Sequence, residues 1–302
     1  MAGPEPDSRV LALFGPTGVG KTAIAIAVAE RLRTRGDHPV AISADALQLY
    51  AGLGILTGAA SAEEQARLEH RLLAFLPIDA RCSAGEFAQL AHAEIDGLLA
   101  QGAVPIVVGG TGLYLRAALA DLDLKPPAPP DVRARLEAEV TARGAPALHA
   151  ELSRRAPWAA ESIAPTDRQR IVRALELDAI GALEPPPDTS QLWTAETRHP
   201  TRLVGLVMER EALYARIDAR VDGMVAAGAI EEVRAAHAAG ASPSARQALG
   251  FEELLAGDVE AMKRRTRNYA KRQLTWMRKL PGAELVDVTG REPDDVAREL
   301  MG

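Results

Sequence analysis

Short, uninterrupted apolar runs recur along the first half of the chain, each followed by a stretch with helical spacing. Val10–Phe14, Pro39–Ser43 and Val104–Val108 contain almost no polar position. Runs of this kind predict strands covered on both faces. Residues 22–33 and 84–101 instead place apolar side chains at helical intervals, and the second stretch ends at Gly102. Strands alternating with helices predict a parallel sheet joined by right-handed crossovers. Strand character returns at residues 202–208. Helices are predicted over 211–228, 230–239 and 258–280, and a last short strand over 284–288.

Two proline clusters interrupt this pattern, Pro126-Pro127-Ala128-Pro129-Pro130 and Pro185-Pro186-Pro187. Proline lacks the amide donor and disfavours helix in the residue before it, so both clusters read as boundaries. Between them the chain is rich in Ala, Arg, Leu and Glu with no strand signal. The reading is a core made from residues 1–124 and 200–302, interrupted by an all-helical subdomain over 125–199.

Composition narrows the class without naming it. The chain has 302 residues, one cysteine (Cys82) and a net charge of −6. A single cysteine excludes an internal disulfide framework and fits a reducing, cytoplasmic setting. No apolar stretch is long enough to predict a membrane span, and the polar, proline-containing segment Met1 to Arg9 is not a signal peptide. The acidic balance argues against bulk affinity for nucleic acid. Yet residues 263–279 hold eight basic side chains and no acidic one. Such a segment either steers a polyanion to one face or is simply a solvated helix.

The most specific chemistry follows the first strand. Gly15, Pro16, Thr17, Gly18, Val19, Gly20, Lys21 and Thr22 form G-x-x-x-x-G-K-[ST] between a strand and a helix. Backbone N–H groups of such a loop make an anion-binding nest, to which the helix N-terminus adds partial positive charge. Lys21 can reach terminal phosphates, and the Thr22 hydroxyl can hold Mg²⁺. The expected fold class is therefore α/β, a P-loop-type parallel sheet core with an inserted all-helical subdomain, and the expected ligand is a polyphosphate.

Most P-loop hydrolases also need an acidic residue ending an apolar strand. The best such strand ends in Gly109-Gly110-Thr111-Gly112 and has none. Asp45, after Ala41-Ile42-Ser43-Ala44, is the remaining candidate at a strand end beside the P-loop. It is a candidate base or ligand, although a cap is the plain alternative. Gly109–Tyr114 is a second glycine-rich strand-to-helix turn, and Thr111 offers it a hydroxyl.

Six segments together resemble bacterial tRNA dimethylallyltransferases, also called tRNA isopentenyltransferases. They are GPTGVGKT, ISAD-x-x-Q-x-Y (Ile42 to Tyr50), VVGGTGLYL (Val107 to Leu115), DRQRIVRALE (Asp167 to Glu176), QALGFEE (Gln247 to Glu253) and KRQLTWMR (Lys271 to Arg278). The resemblance runs in family order over nearly the whole chain. It implies transfer of a dimethylallyl group from dimethylallyl diphosphate to N6 of the adenosine just 3′ of the anticodon, with Mg²⁺ bound. It makes Gly15 to Thr22 the diphosphate cradle, Lys21 and Thr111 catalytic, Thr22 the metal ligand and Asp45 the general base. RNA contacts are implied at Asp45, Ala46, Leu47 and Gln48, at Thr111, at Arg133, and at Gln169, Arg170, Ile171, Val172 and Arg173. Further ones are implied at Gln247, Gly250 and Phe251, and at Lys271, Arg272, Gln273, Thr275, Trp276 and Arg278. The target base must leave its stack to react. The helical insertion is then the expected clamp on the anticodon stem-loop, and the chain is expected to act as a monomer with no membrane partner.

The sequence departs from the family in three places. Leu56-Thr57-Gly58-Ala59-Ala60 stands where the family carries Gly-Thr-Ala-Lys-Pro. His70-Arg71-Leu72-Leu73-Ala74 stands for His-His-Leu-(Ile/Leu)-Asp, and Cys82-Ser83 for an aromatic-Ser pair. Three other readings compete. A free-nucleotide isopentenyltransferase shares the P-loop and Asp but has no use for the insertion or the basic helix. A small-molecule kinase would bind ATP. A non-catalytic relative would bind tRNA without turnover, against which Lys21, Thr22, Asp45 and Thr111 are all present.

Overall fold

The computed structural model describes residues 9–185 and 191–302. The N-terminal segment through Ser8 and the residues Pro186 and Pro187 lie outside the described residues. In chain order the elements begin β1 (Val10–Phe14), α1 (Lys21–Thr34), β2 (Pro39–Ser43), α2 (Gly54–Thr57), α3 (Ala62–Arg67), β3 (His70–Arg71), α4 (Ala84–Ala100), β4 (Val104–Gly109) and α5 (Gly112–Leu119). Four helices follow, α6 (Pro130–Arg143), α7 (Ala145–Arg155), α8 (Pro157–Glu161) and α9 (Arg168–Ala179). The chain ends with β5 (Thr201–Val207), α10 (Arg210–Ala226), α11 (Ala229–Ala238), α12 (Phe251–Leu255), α13 (Val259–Met277), β6 (Glu284–Asp287) and α14 (Pro293–Met301).

Six strands form one all-parallel sheet in the order β3-β2-β4-β1-β5-β6. Leu13, Ala41, Ile106 and Val204 are buried in its centre against Ile24, Val28 and Leu32 of α1. One sequence expectation needs correction: the strand that delivers Asp45 does not lie beside the P-loop strand. The β1-to-β2 crossover skips one position, and β4 later fills it. Strand order of this kind is set by where a later segment inserts, which local patterning does not encode.

The chain divides into two compact units, residues 1–122 with 192–302, and residues 123–191. The return to the sheet unit comes earlier than the 199/200 boundary expected from sequence. Trp193 already packs its ring on Trp276, with centroids 4.5 Å apart, and the Thr194 hydroxyl accepts from Arg116. The smaller unit is α6 to α9 around Leu136, Val140, Leu148, Leu152, Ile171 and Leu175. Among the described residues, no helix is long and apolar enough to cross a membrane.

Local chemistry sets the helix starts around the site. Ser61 and Ser83 each cap a helix through a reciprocal box, with Glu64 and Glu86 three residues on. The second box fixes the start of α4, which packs beside β4 and α5.

Candidate active site

Register decides where the loops emerge. Phe14 pairs with Gly109, and Ser43 with Val108. The three strands therefore end within one residue of one another, and Gly15, Gly110 and Ala44 leave the sheet at nearly the same height. This is the carboxyl edge of a parallel sheet, where ligands bind in this architecture. Gly109 must be glycine for this packing, because a Cβ there would collide with the Ala44 carbonyl oxygen.

The P-loop closes on α1 through two left-handed residues, Gly18 at φ 84° and Gly20 at φ 101°. Other side chains are strained there. The first turn of α1 keeps N–H groups without intrahelical partners, next to the cavity and at the positive end of the helix. The Lys21 ammonium curls onto its own loop, donating to the Gly15 and Pro16 carbonyls at 2.9 and 3.0 Å. Burial first, then the Arg220 guanidinium, lowers its pKa to about 8, while Asp45 opposes the shift.

A cavity of about 760 Å³ opens over these loops. Thr17, Gly18, Gly20, Lys21 and Thr22 line one part of it and Asp45 and Gln48 another. Ile55, Leu56, Val221, Met224 and Met262 give it an apolar wall. Asp45 Oδ1 accepts from the Leu47 N–H at 3.0 Å, which fixes the carboxylate without consuming its second oxygen. The Gln48 side chain is spent within the wall, donating to the Thr57 and Gly58 carbonyls and accepting from Ser43 Oγ.

Four residues that the sequence reading did not single out complete the site. Arg220 donates to the Gly58 carbonyl at 3.3 Å, and a side chain at Gly58 would collide with its guanidinium. The Leu56–Ala60 stretch, which departs from the family pattern, thus packs directly on a cation. Burial pulls the Arg220 pKa down, and Asp45 pulls it back. Its sequence signal is a charge on the apolar stripe of α10, between Ile217 and Val221. Arg216, one turn earlier, lies beside Gly20. Glu232 accepts from the Ile55 and Leu56 N–H groups at 3.0 and 2.7 Å and so holds the start of α2. The Tyr269 hydroxyl stands 3.2 Å from Thr111 Oγ1. Burial, followed by the Asp45 charge, raises its pKa to about 12.

The six motifs do not all present side chains to this cavity. Gln273, buried in α13, accepts from the Thr17 N–H at 2.9 Å and donates to the Gly110 carbonyl at 2.8 Å. It ties the P-loop to the second glycine turn at the wall of the cavity, its amide spent on those two bonds. Trp276 packs on Gly112 and Trp193. Gly250 is buried against Met262, and Phe251 lies in the same core. Ile171 and Val172 fill the core of the helical unit. There Arg173 donates to Glu176 and to the Lys125 and Pro126 carbonyls, so its guanidinium is occupied. Arg133 pairs with the same Glu176, its Nε 3.4 Å from the carboxylate. Ala46, Leu47, Gln169, Arg170, Gln247, Lys271, Arg272, Thr275 and Arg278 all keep exposed surface. Cys82 is half-buried, its thiol pushed up to about 11 by burial.

Phe251 separates packing from recognition. Phe251→Ala is expected to cost about 3–5 kcal/mol of stability, read by denaturant unfolding. A variant of wild-type stability with impaired RNA binding would reverse that assignment.

Comparison with known proteins agrees with this architecture. The sequence profile of the IPP transferase family matches residues 48–280. A tRNA dimethylallyltransferase of Thermobifida fusca (strain YX) is 42% identical over 285 residues, covering 91% of this chain and 88% of its own. The enzyme of that name from Anaeromyxobacter dehalogenans (strain 2CP-C) is 41% identical, covering 97% of this chain and 99% of its own. The full-length tRNA isopentenylpyrophosphate transferase of Bacillus halodurans superposes with a TM-score of 0.69 at 34% identity, covering 97% of this chain and 94% of that one. A eukaryotic dimethylallyltransferase acting on tRNA shares the fold, with a TM-score of 0.71 at 24% identity over 93% of this chain and 74% of its own. With three loops converging on one cavity and identity of this extent along nearly its whole length, the chain belongs to the tRNA dimethylallyltransferase (IPP transferase) family.

Proposed function

We propose that this chain transfers a dimethylallyl group from dimethylallyl diphosphate to N6 of the adenosine immediately 3′ of the anticodon in tRNA. The observation that carries this reading is one cavity with three neighbouring parts. A P-loop cradle, an apolar wall and a carboxylate that acts on Lys21 and Arg220 line the same space. A hydrolase needs no apolar wall beside its phosphates, and an isoprenoid diphosphate needs both.

In this reading the amides of Gly18, Gly20, Lys21 and Thr22 and the cations Lys21 and Arg220 hold the diphosphate. The isoprenoid tail lies along Leu56, Val221 and Met224. N6 attacks the carbon bearing the diphosphate, the C–O bond breaks, and the diphosphate leaves with its electron pair. The amine becomes acidic as it attacks, and the free oxygen of Asp45 takes its proton. Charge growing on the departing oxygen is met by Lys21 and Arg220 in an enclosed site, where such contacts count most. Thr111 and Tyr269, whose hydroxyls meet, orient the flipped nucleotide.

The donor set fits Mg²⁺. Among the described residues, no three or more His, Cys, Asp or Glu side chains gather as a metal site. Thr22, which lines the cavity in the first turn of α1, supplies one hard oxygen. Mg²⁺ commonly takes its remaining ligands from substrate phosphates and water. When bound, the ion neutralises the leaving group. Chelation with EDTA is expected to abolish prenyl transfer, and added Mg²⁺ to restore it. Full turnover under chelation would remove the ion from the account.

RNA reaches the cavity past the exposed end of α13 in this reading. The Arg272 guanidinium lies 5.4 Å over the Tyr269 ring. Arg272→Ala is expected to weaken stem-loop binding and lower the slope of log K against log salt by about 1. An unchanged slope would place Arg272 off the phosphate path. The helical unit, where the Arg133 side chain keeps exposed surface, is the second surface we assign to the stem-loop.

A further inference from the structure

Helix α13 divides its basic side chains into two classes. Lys263 pairs with Asp222 and Glu260, Arg265 with Glu253, and Arg267 with Asp218. Towards the other end, Lys271 and Arg278 carry no ion pair among the described residues, and neither does Arg210 at the start of α10. These three line a cavity of about 300 Å³, separate from the large one, over a floor of Leu213 and Leu274. Arg210 and Tyr214 are four residues apart on α10, and Lys271 on α13 is seven residues before Arg278, which caps that helix in helical conformation. Each pair therefore shares a helix face.

Tyr214 lines the same cavity. Its hydroxyl is withdrawn from solvent and has no hydrogen-bond partner among the described residues. The Lys271 ammonium lies 5.9 Å from the centre of its ring. Enclosed polar groups are almost always paired, so this phenol is a donor awaiting an acceptor. Glu209, beside Arg210, accepts from the Ala212 N–H at 3.0 Å and offsets part of the Arg210 charge without forming an ion pair with it. Three unpaired cations and an unused donor around one small cavity are the complement of a phosphate dianion or diester.

We propose that this cavity is a second anion site holding one phosphate group. Arg210, Lys271 and Arg278 supply the charge, and the Tyr214 hydroxyl supplies a directed hydrogen bond. The phosphate comes from the RNA backbone or from a free phosphorylated molecule. Only the first source rests on the function proposed above.

Two measurements on the full chain test this. The first is an amide chemical-shift titration of the RNA-free protein with inorganic phosphate. Saturating shifts are expected at Tyr214, Lys271 and Arg278 as well as at the P-loop. Arg210→Gln and Tyr214→Phe are each expected to abolish the first set and spare the second. Tyr214→Phe removes only the hydroxyl, so the fold is kept. The second is the salt dependence of stem-loop binding in Arg210→Gln. A slope lowered by about 1 identifies an RNA phosphate. Phosphate shifts at the cavity with an unchanged slope support the site and assign it to a free phosphorylated molecule. Phosphate shifts confined to the P-loop together with an unchanged slope would overturn the proposal. Should the chain bind no stem-loop at all, that failure belongs to the proposed function, and the phosphate titration alone decides this site.

Discussion

Asp45→Asn is expected to lower prenyl transfer by about 10²–10⁴-fold, the range of a general base, with stem-loop binding nearly intact and diphosphate binding no weaker. The substitution is conservative in a specific way. Asp45 Oδ1 accepts from the Leu47 N–H, and an amide oxygen can accept the same bond, so the loop keeps its shape. What is lost is a group that can take the N6 proton, along with the negative charge that faces Lys21 and Arg220. The two losses have different signatures. Loss of the base alone lowers kcat. Loss of the charge leaves two cations less opposed, which tightens diphosphate binding and lowers the KM for the donor. Near-normal kcat in Asp45→Asn would remove Asp45 as the base and leave it as a loop cap.

Lys21→Ala is expected to cost about 10²–10³-fold in kcat/KM, the scale for removing one preorganised donor to a developing anion. The physical reason lies in how the side chain is held. The Lys21 ammonium is enclosed among backbone carbonyls and close to Arg220. A diphosphate would replace those weak acceptors with full charges. The lowered pKa also gives a pH signature whose sign is fixed. Below pH about 8 the side chain is an ammonium and attracts the diphosphate. Above that value it loses its proton, so donor KM rises towards about tenfold per pH unit. Lys21→Arg keeps its charge throughout this range and is expected to lack that inflection. A donor KM that is flat from neutral to alkaline pH would contradict the role given to Lys21. The same depressed pKa means the folded protein binds fewer protons here than the unfolded chain between about pH 8 and the ordinary lysine value. Stability from this group therefore rises with pH across that window.

How much of this was legible in the sequence depends on the range of the signal. The five-residue apolar runs at Val10–Phe14, Pro39–Ser43 and Val104–Val108 report a covered sheet, because both faces of a parallel strand are buried. The P-loop is legible because its chemistry is local: two glycines at left-handed φ, then a lysine and a hydroxyl at a helix start. The helices α3 and α14 were not read. The first is six residues long and carries no buried side chain. The second begins at Pro293 and packs back on α1.

Motifs proved less transparent than elements. QALGFEE and DRQRIVRALE hold residues of two kinds that a linear reading cannot separate. Phe251, Ile171 and Val172 are core, whereas Gln247 and Gln169 face outward. Gln273 sits among basic side chains in sequence yet bonds inward to Thr17 and Gly110. Its partners are 256 and 163 positions away, and no local pattern carries that information. The same holds for the eight basic residues at 263–279. Four of them are matched with carboxylates on α10, α12 and the α13 N-terminus. Only the later ones remain for a polyanion.

The measurement that tests the central claim most directly is product identification. The protein, Mg²⁺ and dimethylallyl diphosphate are incubated with an anticodon stem-loop bearing adenosine 3′ of the anticodon. A matched stem-loop with guanosine at that position, AMP and ATP are run in parallel, and every reaction is digested to nucleosides for mass spectrometry. The account predicts N6-dimethylallyladenosine from the adenosine stem-loop alone. Prenylated AMP or ATP, or stem-loop binding with no prenylated nucleoside, would contradict it.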